Sequence, residues 1–468
     1  TALRTLSFSR NALSEIGPLA GLVNLTSLDA HDNDISDISP TAALIALETV
    51  DFSSNGVTDA AALSGLTNLS TLDLSNNEIE DAATLGRPPN LRSLAIASNS
   101  LMDISALATL DGLTSLDVCQ NDITDIAPLA ALLSLTSLNV ASNRVDDLTP
   151  LSGLAALEVL NISDNEIDEL SALSALSALI ELRASFNALT SAAPITSLDV
   201  LETVVMRSND LVDVSSFAGF ENLRHLDLAE NSIEDLAPLS ALGTLELLDV
   251  TNNSVSDLTP LAGLVQLTTL LVGLNNITDP AALSGLANLS VLDLRENDIE
   301  DLTSLAGLTE LSDLNLQATN VSDLSPLSAL TKLTSLNVGQ TGVEDITPLA
   351  PLTGLITLDL SSNEFSDLAP LADFEDLTTL RLQNNAISDV SPLQSLEGLG
   401  VLDLSGNALA DLAPLAALTA LDTLLLGSNQ ISDATPLAGM VDLRVLDLSS
   451  NALADIAPLA SLVALETL

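Results

Sequence analysis

The chain has 468 residues, with 64 acidic against 12 basic side chains and a formal net charge of −52. So acidic a surface repels phosphate backbones and excludes nucleic acid as a partner. A hydrophobic fraction of 47% excludes a disordered chain, and without a run of 18 apolar residues we expect no membrane span in this segment. One Cys and two His exclude a disulfide framework and a cysteine-based zinc site, and leave little for catalysis.

The sequence repeats every 22 residues without insertion or deletion, so 468 residues make 21 repeats plus six residues. Repeat positions are numbered from Thr1, and residues 22 apart share a position. Position 11 is Asn in 19 of 21 repeats, with Thr319 and Thr341 as the exceptions. An unbroken period of this length overrides the several domains that length alone suggests, and predicts one solenoid over residues 1–468.

Each repeat combines a strand pattern with an apolar return leg. The alternating apolar residues at positions 6 and 8 predict a short strand with alternate side chains buried. Positions 3, 13, 16, 19 and 22 are also apolar, so about seven side chains per repeat enter a core that only stacked neighbours can close. We therefore predict a curved α/β solenoid with a parallel sheet on its concave face and short 3₁₀ or α turns on its convex face.

Two polar positions have architectural explanations. An inward Asn at position 11 can pair with main-chain groups of adjacent turns, so it forms a structural ladder. Position 15 is acidic in 20 of 21 repeats, with Ser191 as the exception, and position 18 is Pro in 14, so the acid caps a short helical turn. The first members of the ladder are Asn11, Asn33, Asn55, Asn77, Asn99, Asn121, Asn143 and Asn165.

The stacked acids at position 15, which run without a break from Asp213 to Asp455, repel one another along the solenoid. High salt, divalent cations or hydrogen bonds from the helical turns must offset this repulsion. Of the cation explanations we favour diffuse screening by salt. The alternative is a calcium site at the adjacent acids Asp29, Asp32, Asp51 and Asp73, because calcium takes carboxylate oxygens in irregular geometry.

The unit L-x-x-L-x-L-x-x-N-x-I-x-D-I-x-P-L resembles the leucine-rich repeat, and its second half looks like the 22-residue class of the internalin family of bacterial surface proteins. A clean example is LRVLDLSSNALADIAPLASL, residues 443–462. The resemblance covers the whole chain. It implies a non-catalytic protein that binds through its concave face.

The concave face offers positions 5, 7 and 9, which are small, polar and acidic and lack Trp and Tyr. Residues that depart from the template include Phe186, Phe217 and Phe220, which we read as a special surface or as ordinary drift. Cys119, among acids, is expected to be a poor nucleophile. The candidate binding residues are Asp29, Asp51, Asp73, Asp117, Asp227, Asp249, Asp293, Arg207, Arg295 and His225.

The composition, with one Lys, abundant Asp and Ala and no Tyr or Trp, is typical of proteins from saline water. We predict a prokaryotic extracellular or cell-surface protein for protein binding or adhesion, with a protein or glycan ligand. The alternative is a fibre, sheath or spacer formed by self-association end to end, and an intracellular scaffold is third.

Neither end shows a capping unit, so a fragment of a longer chain is expected. The segment 84–90, TLGRPPN, predicts a local irregularity on the convex side.

Overall fold

The computed structural model describes residues 2–468; Thr1, with which the predicted repeat array begins, lies outside the described residues. Two compact units are present, the first ending at Asn231 and the second comprising Ser232–Leu468. Within each unit every 22-residue turn contains one three-residue strand and one 3₁₀ turn. The predicted leucine-rich solenoid, with its parallel sheet, is therefore confirmed.

The strands of each unit stack in sequence order. Within a unit, each strand pairs in parallel with the strand of the next repeat, so that Asp29 lies opposite Asp51 in the first unit and Leu248 opposite Leu270 in the second. In the first unit the strands are Thr5–Ser7 (β1), Ser27–Asp29 (β2), Thr49–Asp51 (β3), Thr71–Asp73 (β4), Ser93–Ala95 (β5), Ser115–Asp117 (β6), Ser137–Asn139 (β7), Val159–Asn161 (β8), Glu181–Arg183 (β9), Thr203–Val205 (β10) and His225–Asp227 (β11). In the second they are Leu247–Asp249 (β12), Thr269–Leu271 (β13), Val291–Asp293 (β14), Asp313–Asn315 (β15), Ser335–Asn337 (β16), Thr357–Asp359 (β17), Thr379–Arg381 (β18), Val401–Asp403 (β19), Thr423–Leu425 (β20) and Val445–Asp447 (β21).

The return legs form 3₁₀ turns of three to five residues, which decides between the 3₁₀ and α alternatives. Among residues 2–468, no helix has the length and apolar character needed to cross a membrane. The turns of the first unit are Gly17–Gly21, Ser39–Ala43, Ala61–Leu63, Ala82–Leu85, Ser105–Thr109, Ala127–Ala131, Thr149–Leu151, Ser171–Leu173, Ala193–Ile195 and Ser215–Gly219. Those of the second are Ala237–Ala241, Thr259–Leu261, Ala281–Gly285, Thr303–Leu305, Ser325–Ala329, Thr347–Leu349, Ala369–Leu371, Ser391–Ser395, Ala413–Ala417, Thr435–Gly439 and Ala457–Ser461.

The core of each unit consists of the seven apolar positions that the sequence pattern selects. In the second repeat, residues 23–44, the side chains of Leu28, Ile35, Ile38 and Leu44 are at most 1% exposed. Position 19 of that repeat is Thr41, which is also fully buried, and its hydroxyl keeps a partner by donating to the Ile38 carbonyl at 2.7 Å. The expected burial of about seven side chains per repeat is confirmed.

The Asn ladder at position 11 joins consecutive turns through both ends of each amide. In Asn55, Nδ2 donates to the carbonyl of Ala30 in the preceding turn at 3.0 Å and to that of Phe52 at 3.1 Å. Its Oδ1 accepts the main-chain amide of Ile35 at 3.0 Å. The residue before each ladder Asn has a positive φ, as at Ser54 with 54°, which turns the chain out of the strand. The predicted structural ladder is confirmed, whereas the left-handed residue was not predicted.

The acids at position 15 fix the start of the 3₁₀ turns. The carboxylate of Asp323 accepts the main-chain amide of Ser325 at 2.8 Å. Hydrogen bonds from the Ser325 hydroxyl and amide hold the pKa of Asp323 below its usual value, although burial and repulsion from Asp301 and Asp345 raise it. The hydrogen bonds therefore outweigh the repulsion between neighbouring repeats. Ser191, the exception in the sequence, serves the same purpose by accepting the amide of Ala193 at 3.1 Å.

The predicted irregularity at 84–90 is confirmed and depends on one glycine. The turn Ala82–Leu85 starts one repeat position earlier than its neighbours and ends at Gly86, whose φ is +62°. A Cβ on Gly86 would lie 2.3 Å from the Cβ of Ser64, so only glycine fits here.

Candidate functional site

The outward side chains at positions 5, 7 and 9 of each unit form its sheet face. In the strands, the middle residue is buried and the flanking residues are mostly half-buried or exposed. The face is therefore built from short side chains held at intervals fixed by the parallel register. This arrangement gives closely spaced polar groups.

Most aspartates at position 7 hold the main chain at the end of their strand. The Oδ1 atom of Asp51 accepts the amide of Ser53 at 2.8 Å, and the Oδ1 atom of Asp117 accepts the amide of Cys119 at 2.9 Å. Asn139 makes the same bond to Ala141 at 3.1 Å. Sequence reasoning missed this structural role. The signal that could have revealed it is that some repeats have Asn instead of Asp at position 7, which keeps the side-chain oxygen but not the charge.

Two of the candidate binding residues are not on an accessible surface. We predicted that Asp249 and Asp293 are exposed, but they are only 4% and 9% exposed. Leu271 on β13 lies opposite both of them, so each of the two aspartates has an apolar neighbour where many other repeats have an Asp at position 7. Asp29, Asp51, Asp73, Asp117 and Asp227 remain half-buried on the sheet face as expected.

Arg295 covers Asp293 because the adjacent residue is Gly273. An Arg295 nitrogen lies 3.1 Å from Asp293 Oδ2, and a Cβ on Gly273 would lie 2.9 Å from Arg295 Cγ. The pKa of Asp293 is raised, chiefly by burial. The main-chain amide and the charge of Arg295 lower it, and the charges of Asp249 and Asp313 raise it further. Arg295 is thus engaged in compensating a buried acid rather than presented to a ligand.

Three consecutive strands, β9 to β11, bring together the side chains that depart most from the template. Phe186 is 54% exposed at a left-handed φ of 54°, and its amide donates to the Arg207 carbonyl at 2.8 Å. Arg183 on β9 and His225 on β11 are exposed, and Arg207 is half-buried. We call Phe186, Arg183, Arg207 and His225 the Arg–Phe patch.

The arginines of the Arg–Phe patch are held by neighbouring acids. Arg207 lies 3.3 Å from Asp227 Oδ2 and 3.2 Å from Glu230 Oε1, and Arg183 pairs with Glu181. The hydrogen bond from Ser208 is the main cause of the lowered pKa of Glu230; burial raises that pKa, and the hydrogen bond and charge of Arg207 lower it further. These pairs reduce the local excess of negative charge and fix the guanidinium groups in place.

The two other aromatic candidates from this region are internal. Phe217 and Phe220 are 0% and 1% exposed and contact each other edge to face, with ring centroids 5.7 Å apart. Reading them as surface residues was wrong, because positions 19 and 22 face the core in every repeat. Phe186 is therefore the aromatic of this region that reaches the surface.

The acids chosen as calcium ligands do not form one group. Among the described residues, Asp29 and Asp51 come together with His31, with their ligand atoms within 4.8 Å of one another. Asp32 and Asp73 do not belong to that group; Asp32 sits at the left-handed position 10 with φ 55°. Burial raises the pKa of Asp29, but hydrogen bonds from Ser7 and His31 outweigh it and hold the pKa below its usual value.

Cys119 lies at position 9 beside Asp117 and is half-buried. Burial, and then the hydrogen bond and charge of Asp117, raise the pKa of its thiol to about 12. The sequence predicted the direction from the acidic neighbours, whereas burial is the larger cause. A thiol with this pKa carries almost no thiolate at neutral pH, so the site does not favour nucleophilic chemistry.

Comparisons with known proteins agree with the repeat architecture. The family model described as leucine rich repeats (2 copies) matches residues 1–41, 45–86, 133–175, 221–263 and 353–395. The crystal structure of an internalin (inlF) from Listeria monocytogenes is 32% identical, with a TM-score of 0.62, over 63% of this chain and 87% of the internalin. No curated protein matches.

Two further solved structures share the fold at lower identity. The plant peptide hormone receptor RGFR1, in complex with RGF2, has a TM-score of 0.70 at 21% identity over 96% of this chain and 78% of the receptor. A leucine-rich repeat protein from Leptospira interrogans has a TM-score of 0.61 at 20% identity over 88% of this chain and 99% of its own. At these identities the likeness concerns the fold alone.

Proposed function

Because the chain belongs to the leucine-rich repeat family, in the internalin-like class, we propose that it is a non-catalytic protein that binds a protein partner through the Arg–Phe patch. Arg183, Arg207 and His225 lie on the sheet face of the first unit, and Phe186 directly follows that face at position 10 of its repeat. The observation that carries the proposal is the exposed ring of Phe186, 54% accessible in a chain whose aromatic content is 1%.

The residue types of the patch are those that anchor protein interfaces. Binding hot spots are enriched in aromatic residues and Arg, because large planar groups bury much area at low entropic cost. Because Phe186 is 54% exposed, its complete burial by a partner is worth about half of the value for a fully exposed side chain, roughly 0.8–1.6 kcal/mol. Arg183 and Arg207 offer planar donors beside it, already oriented by Glu181 and Asp227.

The exposed ring is not needed by the repeat itself. Position 10, which Phe186 occupies, is Ser in repeats such as those of Ser54, Ser98 and Ser142, which share its positive φ. A bulky side chain at positive φ is unusual, so a small polar residue fits this position at least as well. The presence of Phe there is explained more simply by contact with a partner than by folding.

The proposal extends to location. We propose that the protein acts at the surface of a prokaryotic cell or outside it, in protein binding or adhesion. Its kinship with the internalin, and a net charge of −52 that keeps a protein soluble in salt, support this location. The ligand we favour is a protein, because the patch offers one aromatic ring beside two guanidinium groups rather than a row of aromatic platforms.

A selection experiment with template-reverted variants tests the proposal. The purified chain is used to select binders from a displayed library of peptides and protein domains. A reverted variant carries Phe186→Ser, Arg183→Asp, Arg207→Ser and His225→Thr, which restore residue types common at those repeat positions. A matched control carries Arg381→Asp, the same change as Arg183→Asp on β18 of the second unit.

The proposal predicts that most selected binders recognise the wild-type chain and the Arg381→Asp control but not the reverted variant. Circular dichroism checks that both variants retain the fold. Binders that recognise all three chains equally would contradict the proposed site. Polymers of the chain alone in sedimentation experiments, with no selected binders, would instead favour a fibre or spacer.

A further inference from the structure

One cluster on the sheet face combines an imidazole with two carboxylates. Asp29 ends β2 and Asp51 ends β3, where the parallel register places them opposite each other. His31 lies two residues beyond Asp29, and its Nδ1 atom is 2.7 Å from Asp29 Oδ1 and 3.8 Å from Asp51 Oδ2. The side chains of His31, Asp29 and Asp51 are 29%, 36% and 33% exposed, so the cluster is partly shielded yet reachable from solvent.

The two carboxylates are oriented by groups outside the cluster. Asp29 Oδ2 accepts the Ser7 hydroxyl at 2.8 Å, which leaves Oδ1 directed at the imidazole. Asp51 Oδ1 accepts the amide and hydroxyl of Ser53 at 2.8 and 2.7 Å, which leaves Oδ2 on the side of His31. Hydrogen bonds of this kind to the non-coordinating atoms are what hold the ligands of protein metal sites in position.

The donor set decides which cation fits. Calcium takes six to eight oxygen ligands, whereas zinc and related ions bind imidazole nitrogen and carboxylate oxygen at about 2.0–2.2 Å. Ligands of a tetrahedral ion are then separated by about 3.4 Å. The observed separations of 2.7 and 3.8 Å lie on either side of that value, so small side-chain rotations reach it.

We propose that Asp29, His31 and Asp51 form a three-ligand site for a divalent transition-metal ion of the zinc class, with the fourth position open to solvent. The site differs in ligands and in metal from the calcium site expected at Asp29, Asp32, Asp51 and Asp73. It is specific to this repeat because position 9 is His only here; the next pair, Asp51 and Asp73, has Ser53 in that place.

Cobalt and zinc titrations of the purified chain test the site. Cobalt coordination is followed by visible absorption and zinc binding by calorimetry, both at pH 7.5 in buffered sodium chloride with excess magnesium to saturate diffuse acidic sites. The test variants are His31→Ser, which restores a common residue of position 9, and Asp51→Asn, which keeps the shape of the side chain. The controls are His225→Ser, which removes the other imidazole, and Cys119→Ser, which removes the thiol.

We expect one zinc or cobalt ion per wild-type chain, a visible cobalt spectrum of low symmetry, and no competition from calcium. His31→Ser and Asp51→Asn should each weaken binding by about tenfold or more, since changing even an outer-shell partner costs that much. His225→Ser and Cys119→Ser should bind as the wild type does. Absence of saturable binding, an unchanged affinity in both test variants, or displacement of the ion by calcium would overturn the proposal.

Discussion

Replacing Asn363 by Ala removes one complete rung of the ladder that joins consecutive turns. Asn363 is 7% exposed, and its Nδ2 donates to the carbonyls of Val338 and Leu360 at 2.9 and 3.0 Å. Its Oδ1 accepts the amides of Gly342 and Val343 at 2.9 and 3.0 Å. These bonds tie the turn that contains Asn363 to the preceding one.

The cost follows from the number of groups left without a partner. A buried hydrogen bond contributes about 0.5–1.5 kcal/mol, and a buried group left unsatisfied costs about 1–3 kcal/mol. Since water reaches part of the vacated space, we expect Asn363→Ala to cost about 3–4 kcal/mol of local stability. At 1.4 kcal/mol for each factor of ten, amide exchange in the adjoining turns should accelerate roughly 100- to 1000-fold.

Hydrogen exchange followed by mass spectrometry measures this effect directly. A repeat array does not guarantee two-state unfolding, so a local probe is preferable to a global midpoint. The matched control is Asn384→Ser, one turn later, because Asn384 is exposed at position 10 and Ser is common there. Equal exchange rates in the two variants would refute the view that the ladder holds the turns together.

Three further changes test other parts of the account. Thr319→Asn should raise the melting temperature, because buried Thr319 makes one side-chain bond, to the Leu316 carbonyl at 2.7 Å, where Asn elsewhere makes several. Asp301→Ala should lower the melting temperature at pH 7, and the difference from wild type should vanish as the pH falls through the folded pKa, because hydrogen bonds from Thr303 lower that pKa. Cys119, with a thiol pKa raised to about 12, should react with a disulfide reagent at pH 8 roughly 30- to 60-fold more slowly when folded than when unfolded in urea, since the smaller thiolate fraction is partly offset by greater nucleophilicity.

Each of these three has a clear contrary result. A melting temperature for Thr319→Asn at or below that of the wild type would mean that position 319 cannot accept the ladder geometry. An Asp301→Ala deficit that persists at pH 2 would mean that the carboxylate acts through packing rather than through its charge, since a lowered pKa contributes no stability once the pH is below the folded pKa. Similar thiol reaction rates in the folded and unfolded chains would show that burial does not protect Cys119.

The repeat made the fold predictable because each position has one structural duty. The Asn ladder, the acid that caps each turn and the seven core positions were all visible as periodic residue types. The left-handed residue at position 10 was not, because Ser, Asp, Asn and even Phe186 occupy it, and no composition marks its φ. Burial of Asp249 and Asp293 was also invisible, since it depends on the side chain of Leu271 and on Gly273 beside Arg295.

The candidate sites depend on contacts between repeats, which a list of single positions does not reveal. His31 and Asp51 are 20 residues apart, and the 22-residue register brings them onto adjacent strands. The same register places Phe186 beside Arg207. A search for unusual residues within one repeat of each other would have found both groups from the sequence, whereas the orientation of their side chains required coordinates.

The most direct test of the proposed function is the affinity of a selected protein partner for one variant, Phe186→Ser, measured beside Asp164→Ser. Both residues are exposed at position 10 in adjacent repeats and share a φ near 55°. Loss of contact with the exposed half of the ring predicts a dissociation constant larger by roughly 4- to 15-fold for Phe186→Ser and little change for Asp164→Ser. Equal affinity of Phe186→Ser and the wild type would contradict the assignment of the Arg–Phe patch as the binding site.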